Sequence, residues 1–372
     1  MNHWVDSNQK LQQMCEKLAR IATVAIDTEF IRTDTFFPKI ALIQISDGED
    51  CWLLDVLAID DFSGLKLLLE DTTRTLIFHA CGEDLEVLEH GLDIRPANIF
   101  DTQIAAGIAN IGYCMGYARL VNTLFDVELD KQETRSDWLK RPLTDRQKVY
   151  AADDVLYLHR MHSLLSAAVS EQGRLDWFAE ETVAMLELAE SRKDQTDYYL
   201  RVKGAWRLQA RSLSALRRLC NWREETARVM DKPRSHVIKD TVLLELARRM
   251  PTAAEQLKGI EDLHSRSVQR HGDNLLQSIV DSHGDEPLPP LPEPLPKAAN
   301  AIIKSMRDSL NALAESQAIP QEFLSNKKEL ESLLRSHLEG QCNWPKRLIQ
   351  GWRQTRVKPA LQAVVDRVGS LT

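Results

Sequence analysis

The sequence predicts an α/β domain, a mixed sheet with helices packed on it, followed by two small all-α domains. Three observations lead there. Apolar runs with strand spacing alternate with helical stretches as far as Asp101, and the first three strands are consecutive. From Thr102 onward the spacing is almost wholly helical. The helical part is then broken by Pro287-Leu-Pro-Pro-Leu-Pro-Glu-Pro-Leu-Pro296, which holds six of the fourteen prolines. A length of 372 residues suits two or three domains.

Taken in order, Leu11, Met14, Leu18 and Ile21 form the stripe of an opening helix. Thr23–Asp27 reads as the first strand, Lys39–Ser46 as the second and Cys51–Val56 as the third. Helix Leu65–Glu70, strand Thr75–His79, helix Asp84–His90 and a short strand Asn98–Asp101 follow, and Thr102–Leu188 is nearly all helical. Between Tyr199 and His283, Leu213, Leu216 and Cys220 recur at helical spacing, as do Val242, Leu243 and Leu246. Arg207, Arg211, Arg217, Arg218, Arg223, Arg248 and Arg249 interleave with them, which predicts a basic surface. The proline run cannot donate ladder hydrogen bonds and predicts a stiff extended spacer. Beyond it the pattern loosely repeats: a helix, a loop with Pro233 or Pro320, an apolar pair (Val237-Ile238 or Phe323-Leu324), then a Leu-rich helix. The expected division is 1–195, 206–284, a Pro-rich linker at 285–297, and 298–372.

Composition is that of a soluble globular protein, 43% apolar and 27% charged. No apolar run approaches a membrane span, and the first residues lack a secretory pattern, so a cytoplasmic protein is expected. The six scattered cysteines contain no C-x-x-C pair and read as buried apolar residues of a reducing compartment. The net charge of −8 conceals a division. Residues 1–190 carry 17 Lys and Arg against 33 Asp and Glu, whereas residues 191–372 carry 30 against 22. That is the pattern of an acidic metal-binding catalytic unit tethered to a module that holds polyanions, although drift in surface charge gives it too. On the first reading, truncation after Leu188 leaves the active site assembled.

Three acidic clusters carry the candidate chemistry. Asp27-Thr28-Glu29 sits at a strand end, where residues i and i+2 share a side. Two carboxylates there repel each other, and a hard divalent cation relieves them; a solvated strand end is the plain alternative. Glu83-Asp84 opens a helix, where acids also serve as ordinary caps. Tyr150-Ala-Ala-Asp153-Asp154 lies in a helix beginning near Thr144, with Tyr150 and Asp154 one turn apart and Asp153 on the same side. Helical geometry does not choose between the two acids. Together the clusters suit two divalent metals roughly 3.5–4 Å apart, the arrangement for in-line displacement at phosphate. No G-x-S-x-G elbow, P-loop or G-x-G-x-x-G is present, so a serine hydrolase or a nucleotide cofactor is not expected. Arg135, Lys140 and Arg141 surround Trp138, a mixture suited either to single-stranded nucleic acid or to a solvated loop with one anchor.

Asp27-Thr28-Glu29-Phe30, His79-Ala-Cys-Gly-Glu-Asp84-Leu, Phe100-Asp101-Thr102-Gln103, Arg135-Ser-Asp-Trp-Leu-Lys-Arg-Pro142-Leu-Thr and Tyr150-Ala-Ala-Asp-Asp154-Val resemble the ribonuclease D family in order and spacing. The resemblance spans essentially the whole chain, because 206–284 looks like an HRDC domain and 298–372 like a degenerate second copy. It implies a ribonuclease H-like exonuclease domain of the DEDD type with tyrosine in the third motif. Asp27, Glu29, Asp84 and Asp154 then match the metal ligands, which makes Glu83 and Asp153 secondary. Tyr150 matches the phenol that orients the attacking water, and Asp101 takes a structural role. The implied activity is removal of nucleoside 5′-monophosphates from RNA 3′ ends with Mg²⁺ or Mn²⁺, as in tRNA 3′-end processing, by a monomer. Phe30 either stacks on the terminal base or is plain core, and Arg135, Lys140 and Arg141 are candidate substrate contacts. The rivals are a 3′-5′ DNA exonuclease, separated by contacts to the 2′-OH, and an inactive nucleic-acid-binding scaffold, which intact acids argue against. A helicase-accessory role lacks any ATP-binding loop.

Overall fold

Alternation along the strands builds the first layer. The computed structural model describes residues 1–130, 133, 136–191 and 197–369. Strands β1 (Asn2–Val5), β2 (Thr23–Ile31), β3 (Lys39–Ser46), β4 (Cys51–Asp55), β5 (Thr75–Phe78) and β6 (Ile99–Asp101) form one mixed sheet in the order β1-β4-β3-β2-β5-β6. β1 runs parallel to β4, β4 antiparallel to β3, and β5 pairs parallel with β2 on one side and β6 on the other. Side chains of successive residues point to opposite faces. Accordingly Val24, Ile26, Leu76, Phe78 and Leu54 pack in one core, and Ala25, Ile77, Phe100 and Leu53 in the other.

Helices α1 (Asn8–Leu18), α2 (Ser63–Leu69) and α3 (Gly82–Leu92) cover the first face, with Leu11, Met14 and Leu18 buried as the opening stripe predicts. Helices α4 (Thr102–Ile108), α5 (Tyr117–Phe125), α6 (Asp145–Leu156) and α7 (Leu158–Glu171) supply the second core, and α8 (Leu175–Ser191) follows them. The mixed sheet and its flanking helices are as expected. Two local expectations change. β1 was not foreseen, because Asn-His-Trp-Val carries little strand signal. β2 continues four residues past Asp27, so the first acid pair lies within a strand.

The following helices are α9 (Ala210–Val229), α10 (Arg234–Val237), α11 (Asp240–Arg249) and α12 (Ser265–Asp281), then α13 (Ala299–Gln317), α14 (Gln321–Leu324), α15 (Lys327–Leu338) and α16 (Gly351–Gly369). Both sets run long helix, one turn, shorter helix, long helix. Pro233 and Pro320 precede the single turns, and Val237, Ile238, Phe323 and Leu324 are all buried, so the sequence repeat is a structural one. Arg223, read as part of a basic surface, is instead only 1% exposed. Cys114 and Cys342 are likewise exposed, unlike the other four cysteines.

The chain divides into two compact units: Met1–Ile31, Ile40–Glu187 and Leu295–Thr372 in one, Arg32–Lys39 and Leu188–Pro294 in the other. The α13–α16 set thus shares the second core of the sheet. Residues 285–296 form neither helix nor strand, and their leucines are not idle: Leu288 and Leu291 pack on the helical unit, Leu295 on the sheet unit. Among the described residues no helix is long and apolar enough to cross a membrane.

Candidate metal centre and active site

Ala25 faces the core beneath α6 and α7, and continued alternation along β2 sends Asp27 and Glu29 the same way. α6 packs against β2 and β4. Its start is fixed by Thr144, which accepts from the Gln147 N–H while the Gln147 side chain accepts from the Thr144 N–H. Asp154 stands in its last turn. Carboxylate oxygens of Asp27, Glu29 and Asp154 lie within 4.8 Å of one another. Thr28 belongs to the opposite face with Val24 and Ile26, where α3 packs on β2. There its hydroxyl donates to Asp84 Oδ1 at 2.5 Å. Asp84 is buried in the first turn of α3, and Glu83 beside it is exposed.

These acids disturb one another. Burial, then repulsion from Asp84, Asp154 and Glu29, pushes the Asp27 carboxyl well above its usual range. Burial, then Asp154 and Asp84, raises Glu29 to about 9. Burial, then Asp153 and Asp84, raises Asp154 to about 7. Burial raises Asp84 to about 6 against the opposing hydrogen bond from Thr28. Every charge that moves Asp27, Glu29 and Asp154 is a carboxylate, and the donor set is oxygen alone. That is the environment a hard divalent cation stabilises. The residues present therefore suit such an ion, with Asp27, Glu29 and Asp154 as the tight trio and Asp84 near enough for its charge to raise all three.

Neighbouring groups set these positions, and some of them carry little signal in the sequence. The buried Asp101 carboxylate accepts from the Ala80 and Cys81 N–H groups (3.2 and 2.9 Å) and from those of Gln103 and Ile104 (2.8 and 3.2 Å). It thereby caps α4 and holds the turn that launches α3 and Asp84, including Ala80 at φ 59°. His79 bridges the Thr102 hydroxyl and the Met115 carbonyl, both at 2.9 Å, and burial lowers its pKa so that it stays neutral. The Tyr117 hydroxyl donates to the Asp153 carbonyl at 2.7 Å and accepts from the Tyr157 N–H at 3.1 Å. A hydroxyl inserted between those two groups replaces the helical bond and separates α6 from α7 just past Asp154. Nothing local in the sequence signals a partner 36 residues away.

Tyr150 is half-buried, its ring 6.0 Å from that of Trp138. Asp153, half-buried, has its pKa raised by burial. Phe30 packs against the first core while staying half-buried. Lys140 is exposed. Arg141 is bound inside the fold: its guanidinium donates to Asp55 at 2.9 and 2.7 Å and to the carbonyls of Trp138 and Ala41. Arg135 lies outside the described residues.

Three family models match the chain: a 3′-5′ exonuclease over residues 2–170, an HRDC domain over 212–279, and the C-terminal HRDC domain of ribonuclease D over 299–361. The chain is 40% identical to ribonuclease D of Pseudomonas paraeruginosa over 362 residues, covering 96% of each. It is 33% identical to ribonuclease D of Escherichia coli over 369 residues, covering 97% of this chain and 98% of that protein. The crystal structure of Escherichia coli RNase D, an exoribonuclease involved in structured RNA processing, superimposes with a TM-score of 0.88 at 32% identity, over 99% of both chains. The catalytic core of RRP6 from Trypanosoma brucei shares the fold, with a TM-score of 0.57 and 24% identity over 76% of this chain and 80% of that one. With this full-length likeness and an intact acidic trio, the chain belongs to the ribonuclease D family of 3′-5′ exoribonucleases.

Proposed function

We propose that this exoribonuclease hydrolyses the last phosphodiester of RNA and releases nucleoside 5′-monophosphates, with Asp27, Glu29, Asp84 and Asp154 holding two divalent ions, Mg²⁺ or Mn²⁺. The supporting observation is the convergence of three carboxylates, Asp27, Glu29 and Asp154, each raised by burial and by the charge of Asp84, which is itself raised by burial. Such ions, when bound, offset charge on the scissile phosphate and acidify the attacking water. The chain's own residues do the positioning. Thr28 aims Asp84, Asp101 fixes the turn before it, and Tyr117 sets the end of the helix that presents Asp154. Tyr150 orients the water rather than taking its proton. In this reading Lys140 meets substrate phosphate and Phe30 the terminal base, while Arg141 braces the segment through Asp55.

Trimming of tRNA 3′ ends by a cytosolic monomer is the physiological reading, in keeping with the structured RNA processing of the Escherichia coli relative. The test is digestion of 5′-labelled single-stranded RNA, its DNA analogue and a tRNA with a 3′ extension, with Mg²⁺, with Mn²⁺ and with chelator. RNA should shorten from its 3′ end in single steps only with metal, and the tRNA should lose its extension. Equal turnover of DNA would transfer the assignment to a DNA exonuclease. Undiminished activity in chelator would remove the metals.

A further inference from the structure

Two buried polar side chains of the sheet domain have no hydrogen-bond partner among the described residues. Gln44 of β3 is 0% exposed with neither Oε1 nor Nε2 paired, and Trp138 is 2% exposed with its Nε1 unpaired. Ile43 and Ile45 pack in the first core, whereas Leu42 and the cross-strand partner Leu53 pack in the second. The Gln44 amide therefore points into the second core, on the face of Asp27 and Glu29. Trp138 belongs to that core too. Its segment is clasped to β3, because the Arg141 guanidinium donates to the Trp138 carbonyl at 2.7 Å and to the Ala41 carbonyl at 2.8 Å. Gln44 follows Ala41 by three residues on the same strand. α6 packs on β2 and β4, the strands on either side of β3, and so passes over β3 itself. The Trp138 ring lies 6.0 Å from that of Tyr150 on α6.

Burying an amide or an indole N–H without a partner is costly, and native interiors satisfy such groups with internal water. The two groups are complementary through water. The indole only donates, and the amide offers an acceptor oxygen and two N–H donors. A water that accepts from Trp138 Nε1 and donates to Gln44 Oε1 satisfies both, and a further water on Nε2 completes the amide. We propose that Gln44 and Trp138 hold buried water beneath α6, and that this anchor keeps the Trp138 ring in the orientation against which Tyr150 packs. Gln44 is then a positioning residue for hydrolysis. The role rests on Tyr150 orienting the attacking water, and it adds a solvent site built from neutral groups, which the four acids do not supply.

The test uses the full chain with Gln44→Met, which keeps the length of the side chain and removes its polar atoms, alone and together with Tyr150→Phe. An amide that merely lacks a partner should give way to methionine with a gain in stability and no change in kcat. The anchor predicts the reverse. Gln44→Met should melt about 2–4 °C lower, and its kcat on single-stranded RNA should fall about tenfold at nearly constant KM. Because Gln44 acts through Tyr150, the same change should lower kcat little further in the Tyr150→Phe background. A full further loss there, or unchanged kcat in folded Gln44→Met, would overturn the positioning role. The water is read by magnetic resonance on the wild-type chain carrying isotope-labelled tryptophan, with Trp138→Phe identifying the Trp138 signal. Its indole proton should show a cross-peak to long-lived water that Gln44→Met abolishes. No cross-peak in the wild-type chain, or a Gln44→Met protein that melts higher, would overturn the water site. Should Tyr150→Phe itself leave kcat unchanged, the role of Tyr150 falls, while the cross-peak and the melting shift still decide the water site.

Discussion

In water, Asp27, Glu29, Asp84 and Asp154 would all be ionised at neutral pH; here burial, and among three of them mutual repulsion, drives them toward their protonated forms. The native state therefore binds more protons than the unfolded chain between the ordinary carboxyl range near pH 4 and the raised values of about 6 to 9. Stability of the metal-free protein should fall as pH rises through that window, and Mg²⁺ should reverse the fall. Melting with Mg²⁺ and with chelator should show a larger Mg²⁺ stabilisation at pH 8 than at pH 5.5; equal shifts would mean the four acids do not hold the ion. Asp27→Asn or Asp154→Asn should lower exonuclease turnover by about 10²–10³ or more, while melting without metal is unchanged or higher because a repelling charge has gone. Tyr150→Phe should cut kcat about 10²-fold with KM nearly constant, the mark of an interaction made in the transition state. The acids themselves were legible because D-x-E on a strand and Y-x-x-x-D on a helix have fixed periodicities. The partner of Arg141 was not legible, since Asp55 lies 86 residues away and no spacing reveals it.

At the scale of elements, one small residue decides how the last helices meet the sheet domain. A Cβ built on Gly107 of α4 would come 2.2 Å from the ring of Phe323, the residue that marked the repeat in the sequence. Gly107→Ala should therefore destabilise the protein by about 1–3 kcal/mol through overpacking, read as a lower denaturation midpoint. In a Phe323→Ala background the same change should cost much less, and a strictly additive double variant would show that the two do not touch. The strand and helix order was readable because both faces of the sheet are covered and each strand is strongly patterned. β1 was not, since it gains its place by pairing with β4 rather than by its own propensity.

For the whole molecule, charge suggested a catalytic half separable at Leu188, and packing says otherwise. Trp177 of α8 stacks on Trp352 of α16 with centroids 4.4 Å apart, Glu181 pairs with Arg347 and Arg353, and Arg174 donates to the Ala318 carbonyl. Truncation after Leu188 strips that surface and should yield an aggregating protein without a cooperative melt. By contrast, a protease site inserted at Glu293 should allow cutting without separation: the 294–372 fragment should co-elute with the rest in native buffer. Dissociation on cutting would show that these contacts are weak. Charge could not reveal this, because the interface is built largely from apolar groups and paired charges.

Because the core of the sheet unit draws on residues up to Val169 and again from Ala299, the order in which the chain is made acquires a meaning. Everything between Leu188 and Pro294 must be synthesised before the last helices can close that core. At roughly 5–20 residues per second, the acids of β2 wait well over ten seconds after leaving the ribosome for their full support. A message broken before its final codons would thus give a chain with every acidic residue and no finished nuclease.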